Sequence, residues 1–398
     1  MAPPVIAVFG ATGVVGRRVC EALAAPEPPG GDGDAGGNGA GGAPVALRLV
    51  GRRRDALDAI AAALAGATTA PVSVAVAAAV ADDTAALARA LDGVRVVINA
   101  AGPLRDTALP VLEAALAAGA HYVDVGGEQA ALRALYERGE SAVRHAGLVA
   151  LPGAGLDAAI GDFAAVWAAE HVTTGDAAPA DPADRIAEAR PLDEVAVSYA
   201  FDDLALSAGS QRALFGAIGE RALIWQRDRW EPGRAGDHRR INPGPALGGE
   251  RDAIGFAGGA VITIPRCIAV DRVATYASAA RSPTASAVLR WAARALPLLP
   301  RRAGDVLAPF APDDAAYART RFAVLAQVRR GFSAAQIAVH GADLYRTTAA
   351  IAAWSARRLA ARGSGPIGMR APGELFRAQP ALRAIARAAA LTIEPSFG

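Results

Sequence analysis

Along the first 150 residues, short apolar runs alternate with longer stretches in which apolar positions recur at helical spacing. Residues 5–9, 46–50, 72–76, 94–98, 122–125 and 148–151 are mostly apolar runs, too short for helices, with Arg95 as a polar exception. Runs of this kind are what strands buried on both faces look like. Between them, residues 14–25, 54–64, 84–91, 109–118 and 129–145 carry helical periodicity, and Gly119 stands where a C-terminal cap belongs. Strand–helix alternation with short connections predicts an α/β domain, a doubly wound parallel sheet of the Rossmann type.

After Gly155 the pattern changes. Val195, Val197, Tyr199 and Phe201 alternate with smaller residues, which predicts a half-buried strand. Residues 261–264 and 322–328 read as further strands, and 337–339 as a partner of the latter across a turn near Gly331. A second α+β domain with a mostly antiparallel sheet is expected, followed by a long helix over 343–361. The boundaries expected are 1–155 for the nucleotide domain, 156–340 for a substrate or dimerisation domain, and 341–398 for a C-terminal helical segment. Residues 26–44 are almost all glycine, proline, alanine and acidic residues, which cannot bury a core; a disordered surface insertion is expected there.

A chain of 398 residues is long enough for two domains. Apolar residues make up 53%, but much of that is alanine, so the mean hydropathy of +0.24 overstates the apolar area. No run reaches the roughly 20 strongly apolar residues of a membrane span, and MAPPVIAVFG has no basic leader. The expectation is a cytoplasmic protein with no integral membrane part. A formal charge of +2 argues against a nucleic-acid partner. The sequence contains no lysine, so all 41 basic residues are arginines. Arginine stays protonated, so no lysine Schiff base, lysine acid/base or Tyr-x-x-x-Lys dehydrogenase chemistry is available. Two cysteines cannot form a disulfide framework, and the five histidines show no metal-ligand spacing, so no metal is expected.

The strongest local signal is Gly10-Ala11-Thr12-Gly13-Val14-Val15-Gly16, which follows a strand and opens a helix. In that context the glycines allow a tight turn, approach of a pyrophosphate to the main chain, and close helix packing. The second strand exits into Gly51-Arg52-Arg53, where an NAD enzyme usually places a carboxylate for the ribose 2′-hydroxyl. Arg52 and Arg53 suit a 2′-phosphate instead, so NADP(H) is the expected cofactor. The fourth strand ends Asn99-Ala100-Ala101-Gly102-Pro103, small residues that let the middle of a dinucleotide lie against backbone.

These residues resemble the saccharopine dehydrogenase-like oxidoreductases, particularly the branch described as trans-acting enoyl reductases. The resemblance rests on GATGVVG at 10–16, VGRR at 50–53, NAAGP at 99–103, HYVDVGGE at 121–128, PGAGLD at 152–157, VITIPR at 261–266 and HGADLYRTTA at 340–349. It implies a Rossmann domain with a larger inserted domain, residues 341–398 packing back on the first, and an NADPH-dependent reductase of an activated C=C bond in lipid or polyketide assembly. The substrate implied is a small molecule or a carrier-bound acyl group, and a homodimer is allowed. Gly126 stands where the family often has serine, and 207–211 reads SAGSQ, so the substrate stays open. A C=N or C=O reductase and a non-catalytic nucleotide-binding scaffold are the alternatives.

Hydride transfer also needs a proton source. Tyr122, Asp124 and Tyr199 are the candidates, with His121, Asp157 and Tyr345 nearby in the reading. For His121 and Tyr122, packing at the strand entrance is the preferred reading, because chemistry in such a sheet sits at the other end. Residues 286–299 are amphipathic among arginines; a buried helix face is preferred over a membrane-surface or carrier contact.

Overall fold

The structure, a computed structural model, describes residues 2–26, 45–65, 72–74, 83–173, 190–216, 221–234, 236–279, 312–363 and 365–398. Most of the insertion expected at 26–44, and all of the amphipathic stretch 286–299, lie outside the described residues. The chain forms two compact units. One holds Met1–Gly126, Ala130–Leu156 and Tyr345–Arg370; the other holds Gly127–Gln129, Asp157–Leu344 and Ala371–Gly398.

In the first unit, strands β1 (Val5–Phe9), β2 (Ala46–Val50), β3 (Val72–Val74), β4 (Val96–Asn99), β5 (His121–Asp124) and β6 (Val149–Leu151) run parallel. Helices α1 (Val14–Ala24), α2 (Arg54–Ala65), α3 (Thr84–Ala90), α4 (Leu104–Ala117) and α5 (Gln129–His145) connect them. The strand order β6-β5-β4-β1-β2-β3 reverses between β1 and β4, so the loops leaving those two strands border the crevice where such sheets bind ligands. The centre is dry: Ile6, Ala7, Val8, Leu47, Leu49, Val96, Val97 and Ile98 are all at 0% exposure. Both faces are covered, which explains why the runs are mostly apolar.

The second unit opens with a π-helical turn (Leu156–Ile160) and α6 (Gly161–Val172). It continues through β7 (Glu194–Asp202), α7 (Ala208–Gly216), β8 (Leu223–Gln226), β9 (Arg229–Pro232), β10 (His238–Ile241), β11 (Arg251–Gly255), α8 (Ala260–Cys267), β12 (Arg272–Ser278), α9 (Asp314–Arg319), β13 (Arg321–Arg330) and β14 (Ser333–Ala342). The chain returns to the first unit as α10 (Leu344–Ala361) and β15 (Gly368–Met369), the latter pairing parallel with β6. It then ends in the second unit with α11 (Pro372–Leu375), α12 (Ala378–Ala389) and β16 (Thr392–Phe397). The second sheet runs β10-β11-β12-β7-β13-β14-β16, antiparallel except where β12 meets β7.

Three expectations are corrected. Residues 261–264 form a helix rather than a strand: Ala260–Ile264 are buried on every side, so the run has no polar face to reveal its period. Strand β7 is buried on both faces rather than half-buried. Its small residues Ala196 and Ala200 sit in a second core with Leu247, Tyr276 and Leu325, while Val197 and Tyr199 face Gly161 of α6. The C-terminal segment also divides. Only Tyr345–Arg370 joins the first unit; from Ala371 the chain adds β16 to the edge of β14 and lays the apolar stripe Ala381, Leu382, Ile385 and Ala389 of α12 within the second unit, packed on α6. The open edge of β14 and a one-sided helix both need cover, and the segment supplies it.

No described helix is long and apolar enough to cross a membrane. Among the described residues, no group of three or more His, Cys, Asp or Glu is placed to hold a metal ion.

Candidate functional site

The glycine loop leaves β1 through Gly10, whose φ of +82° belongs to the left-handed region that glycine favours. The Gly10 and Ala11 amides both donate to the Val50 carbonyl, at 2.9 and 3.3 Å, and the Ala100 amide donates to Phe9 at 2.9 Å. A Cβ on Gly10 would lie 2.9 Å from Ala101. These contacts bring the three sequence motifs, 10–16, 51–53 and 99–102, to one edge of the sheet. Gly16 is packed against the loop itself, since a Cβ there would meet the Gly10 carbonyl oxygen at 2.1 Å. Gly13 differs: it is exposed, and its added Cβ would find only that oxygen, at 3.3 Å. Around Gly102 nothing lies within 4 Å of the same position.

Gly13 is also the N-cap of α1, with no side-chain cap and no acidic residue in the first turn. The amides of Val14, Val15 and Gly16 therefore open the helix with its positive end unneutralised, which suits a phosphate. Arg54 is engaged with Asp58 at 2.8 Å, whereas Arg52 and Arg53 are exposed and engage no side chain among the described residues. The arrangement fits a dinucleotide phosphate: an open glycine cradle, a free helix start, and two guanidiniums beside it.

Beneath this edge, polar residues hold the loops in place. Asn99 Oδ1 accepts from the Ala101 amide at 3.1 Å, and Nδ2 donates to Thr107 at 3.2 Å and to the Tyr122 hydroxyl at 3.3 Å. Tyr122 is fully buried, and burial followed by the Asp124 charge pushes its pKa upward. Asp124 Oδ1 accepts from the Gly126 and Gly153 amides at 3.1 and 3.0 Å, tying the loops after β5 and β6 together. His121 accepts from the Val149 amide at 3.0 Å, and burial, then Arg95 and Arg362, lower its pKa to about 4. These three side chains serve the architecture.

The remaining candidate, Tyr199, lies in the second unit. It is 1% exposed, and its hydroxyl donates to the main-chain carbonyl of Asp157. Burial first, and then the Asp157 and Asp162 charges, keep it a neutral donor. Asp157, on the π-helical turn, is partly exposed, and its Oδ2 accepts from the Gly259 amide at 3.1 Å. In the sequence it was marked only by its place after the sixth strand. Tyr345 is buried in α10, with Arg18 over its ring at 6.0 Å.

Residues 40–150 match the model of the saccharopine dehydrogenase NADP binding domain. The chain also superposes on an apo saccharopine dehydrogenase (L-Glu forming) from Saccharomyces cerevisiae, with a TM-score of 0.60 and 12% identity over 100% of both chains. The chain thus shares its fold with a saccharopine dehydrogenase, and residues 40–150 resemble the NADP binding domain of that family. The match to an NADP binding domain makes NADP(H) the cofactor. Two further solved structures give local likenesses. Pen from Bacillus thuringiensis matches at 12% identity and TM-score 0.26 over 37% of this chain and 50% of its own. An NADPH-dependent quinone oxidoreductase from Escherichia coli matches at 23% identity and TM-score 0.23 over 37% and 46%. A comparison with curated proteins gives no match.

Proposed function

We propose that this saccharopine dehydrogenase-like protein is an NADPH-dependent reductase of an activated C=C bond, conjugated to the carbonyl of a small or carrier-bound acyl substrate. The observation that carries the reductase reading is the convergence of the exposed Gly13 cradle, the uncapped start of α1 and the Arg52–Arg53 pair at one sheet edge. Gly10–Gly16 would hold the pyrophosphate through main-chain amides, Arg52 and Arg53 the 2′-phosphate, and Asn99–Gly102 would leave room for the middle of the dinucleotide. The bound cofactor supplies a hydride. The chain's part is to position it, exclude water and deliver a proton. The ordered run of seven motifs shared with the enoyl reductase branch supports a C=C acceptor, and the lack of lysine removes one competing acid/base design.

A C=N or C=O reductase of a small metabolite is the second reading, favoured by the full-length fold shared with a saccharopine dehydrogenase. The test follows NADPH consumption with three acceptors: crotonyl-CoA, a cyclic imine and an aliphatic aldehyde. Turnover of crotonyl-CoA with a saturated product supports the first reading. Turnover of the imine or aldehyde alone replaces it with the second. NADPH binding without turnover of any acceptor leaves a nucleotide-binding scaffold.

A further inference from the structure

One face of the second sheet carries a buried cation without a counter-charge. Side chains alternate between the faces of a strand, so Arg251 shares the face of β11 that holds Ala253, in the core with Leu247, Tyr276 and Leu325. Arg251 is 6% exposed. Its Nη1 donates to the Phe201 carbonyl at 3.2 Å. Its Nε and Nη2 are buried and have no hydrogen-bond partner. Burial lowers its pKa, and among the described residues no charge acts to raise it. Arginine nevertheless stays protonated in proteins. The carboxylates nearest along the chain are engaged elsewhere or turned away. Asp202, which follows Phe201, holds Arg321 at 2.7 Å, and Glu250 holds Arg240 at 3.1 Å. Asp252 stands on the opposite face of β11.

A second orphaned group lies at the same place. Strand β12 runs between β11 and β7, so Arg251 reaches Phe201 across the end of β12. That end is Ser278, which pairs with Ala200, the neighbour of Phe201. Ser278 shares the face of Ala274 and Tyr276. It is 4% exposed, and its hydroxyl oxygen is also buried without a partner. The loop between β10 and β11, residues 242–250, borders the guanidinium: a Cβ on Gly248 would lie 3.6 Å from Nη2. The loop turns through left-handed backbone at Gly244 and Gly248, with φ of +82° and +85°.

The N–H bonds of Nε and Nη2 leave the guanidinium on one side, side by side, and match two oxygens of a carboxylate or phosphate. Buried arginines are almost always paired, and an orphaned buried group calls for something to fill its place. We propose that Arg251 and Ser278 form a binding site for an oxyanion group, a carboxylate or a phosphate. The Nε–Nη2 edge takes two of its oxygens, and the Ser278 hydroxyl donates to one of them. Entry follows movement of the 242–250 loop, whose Leu247, Gly248 and Gly249 amides bond back to Gly244 and Pro245 within the loop itself. The whole site lies in the second unit and uses neither the cofactor nor the acceptor.

The test is calorimetric titration of the full chain with acetate, succinate and inorganic phosphate, with ionic strength held constant by chloride, beside thermal unfolding. Wild type should bind at least one of the three saturably. Its melting temperature should rise by about 5–10 °C at roughly 100 times Kd. Binding of acetate or succinate identifies the group as a carboxylate; binding of phosphate alone identifies it as a phosphate. Arg251→Met should lose more than ten-fold in affinity. Arg251→Lys keeps the charge without the fork and should lose more than ten-fold as well, which gives a reading even where the apolar variant fails to fold. Ser278→Ala should lose about two- to ten-fold. The glycine cradle of the first unit also suits phosphate, so the loss in the Arg251 variants assigns the site, not binding alone. Absence of saturable binding by wild type overturns the proposal, and so does equal affinity in wild type and Arg251→Lys. Either result leaves the reductase reading standing.

Discussion

Replacing Gly13 and Gly16 by alanine, one at a time, separates ligand binding from folding. The Cβ of Gly16→Ala would lie 2.1 Å from the Gly10 carbonyl oxygen and 2.9 Å from Ala11 Cα. An ordinary C···O approach is about 3.3 Å, so main chain must move by roughly 1 Å at the start of α1. Overpacking of that kind costs about 1–3 kcal/mol. At roughly 2–4 °C per kcal/mol for a unit of this size, the melting temperature should fall by about 2–12 °C. Gly13→Ala is different, because its Cβ reaches the same oxygen at 3.3 Å and its φ of −80° suits any L-residue. A weaker N-cap costs of order 0.5–1 kcal/mol, and the stiffer unfolded chain returns about 0.4–1 kcal/mol, so stability should hardly change. NADPH binding should nevertheless suffer, because the added methyl occupies the approach of the pyrophosphate. Losing one charge-assisted main-chain hydrogen bond, about 1.5–3 kcal/mol, raises Kd by roughly 10- to 150-fold. The assay is NADPH titration by fluorescence beside thermal unfolding for both variants. Unchanged affinity in Gly13→Ala would refute the phosphate cradle. Unchanged melting in Gly16→Ala would refute the close packing on which the contrast depends.

Arg52→Asp should weaken NADP(H) by about 1–3 kcal/mol and leave NAD(H) nearly untouched, and equal affinity of wild type for both cofactors would defeat that reading. His121 should make the first unit acid-sensitive. Its pKa is lowered to about 4 from an ordinary value of about 6.5, so the unfolded chain takes up a proton that the fold refuses. That stability is present above about pH 6.5 and lost as pH falls towards 4, at most about 3 kcal/mol. Urea midpoints measured across this range should slope for wild type and flatten in His121→Gln. Deletion of residues 30–42 should leave cofactor affinity and melting nearly unchanged, because loop length costs little free energy; a large drop in melting temperature would show a packed segment.

Local chemistry decided much of this protein before any packing was known. The parallel unit was legible because its strands are mostly apolar and its turns carry glycine at the required places, as at Gly10 and Gly119. The cofactor edge was legible for the same reason: a strand, a glycine loop and a helix lie within twenty residues, and the arginines that suit a 2′-phosphate follow the next strand directly. Local pattern failed where burial erased periodicity. Residues 261–264 gave no sign of their helix because every side is covered, and β7 gave no sign of its second buried face because that face is lined with alanine. The C-terminal β16 is largely exposed and depends on β14 for its hydrogen bonds, so nothing in its own residues names its partner. The Asp157 niche is the furthest from the sequence. Its hydrogen-bonding partners Tyr199 and Gly259 lie 42 and 102 positions away, and Gly127 matters only because a carboxyl oxygen occupies the place of its missing side chain. Sequence determines which residues can make such contacts; only the fold of the second unit brings them to one carboxyl group.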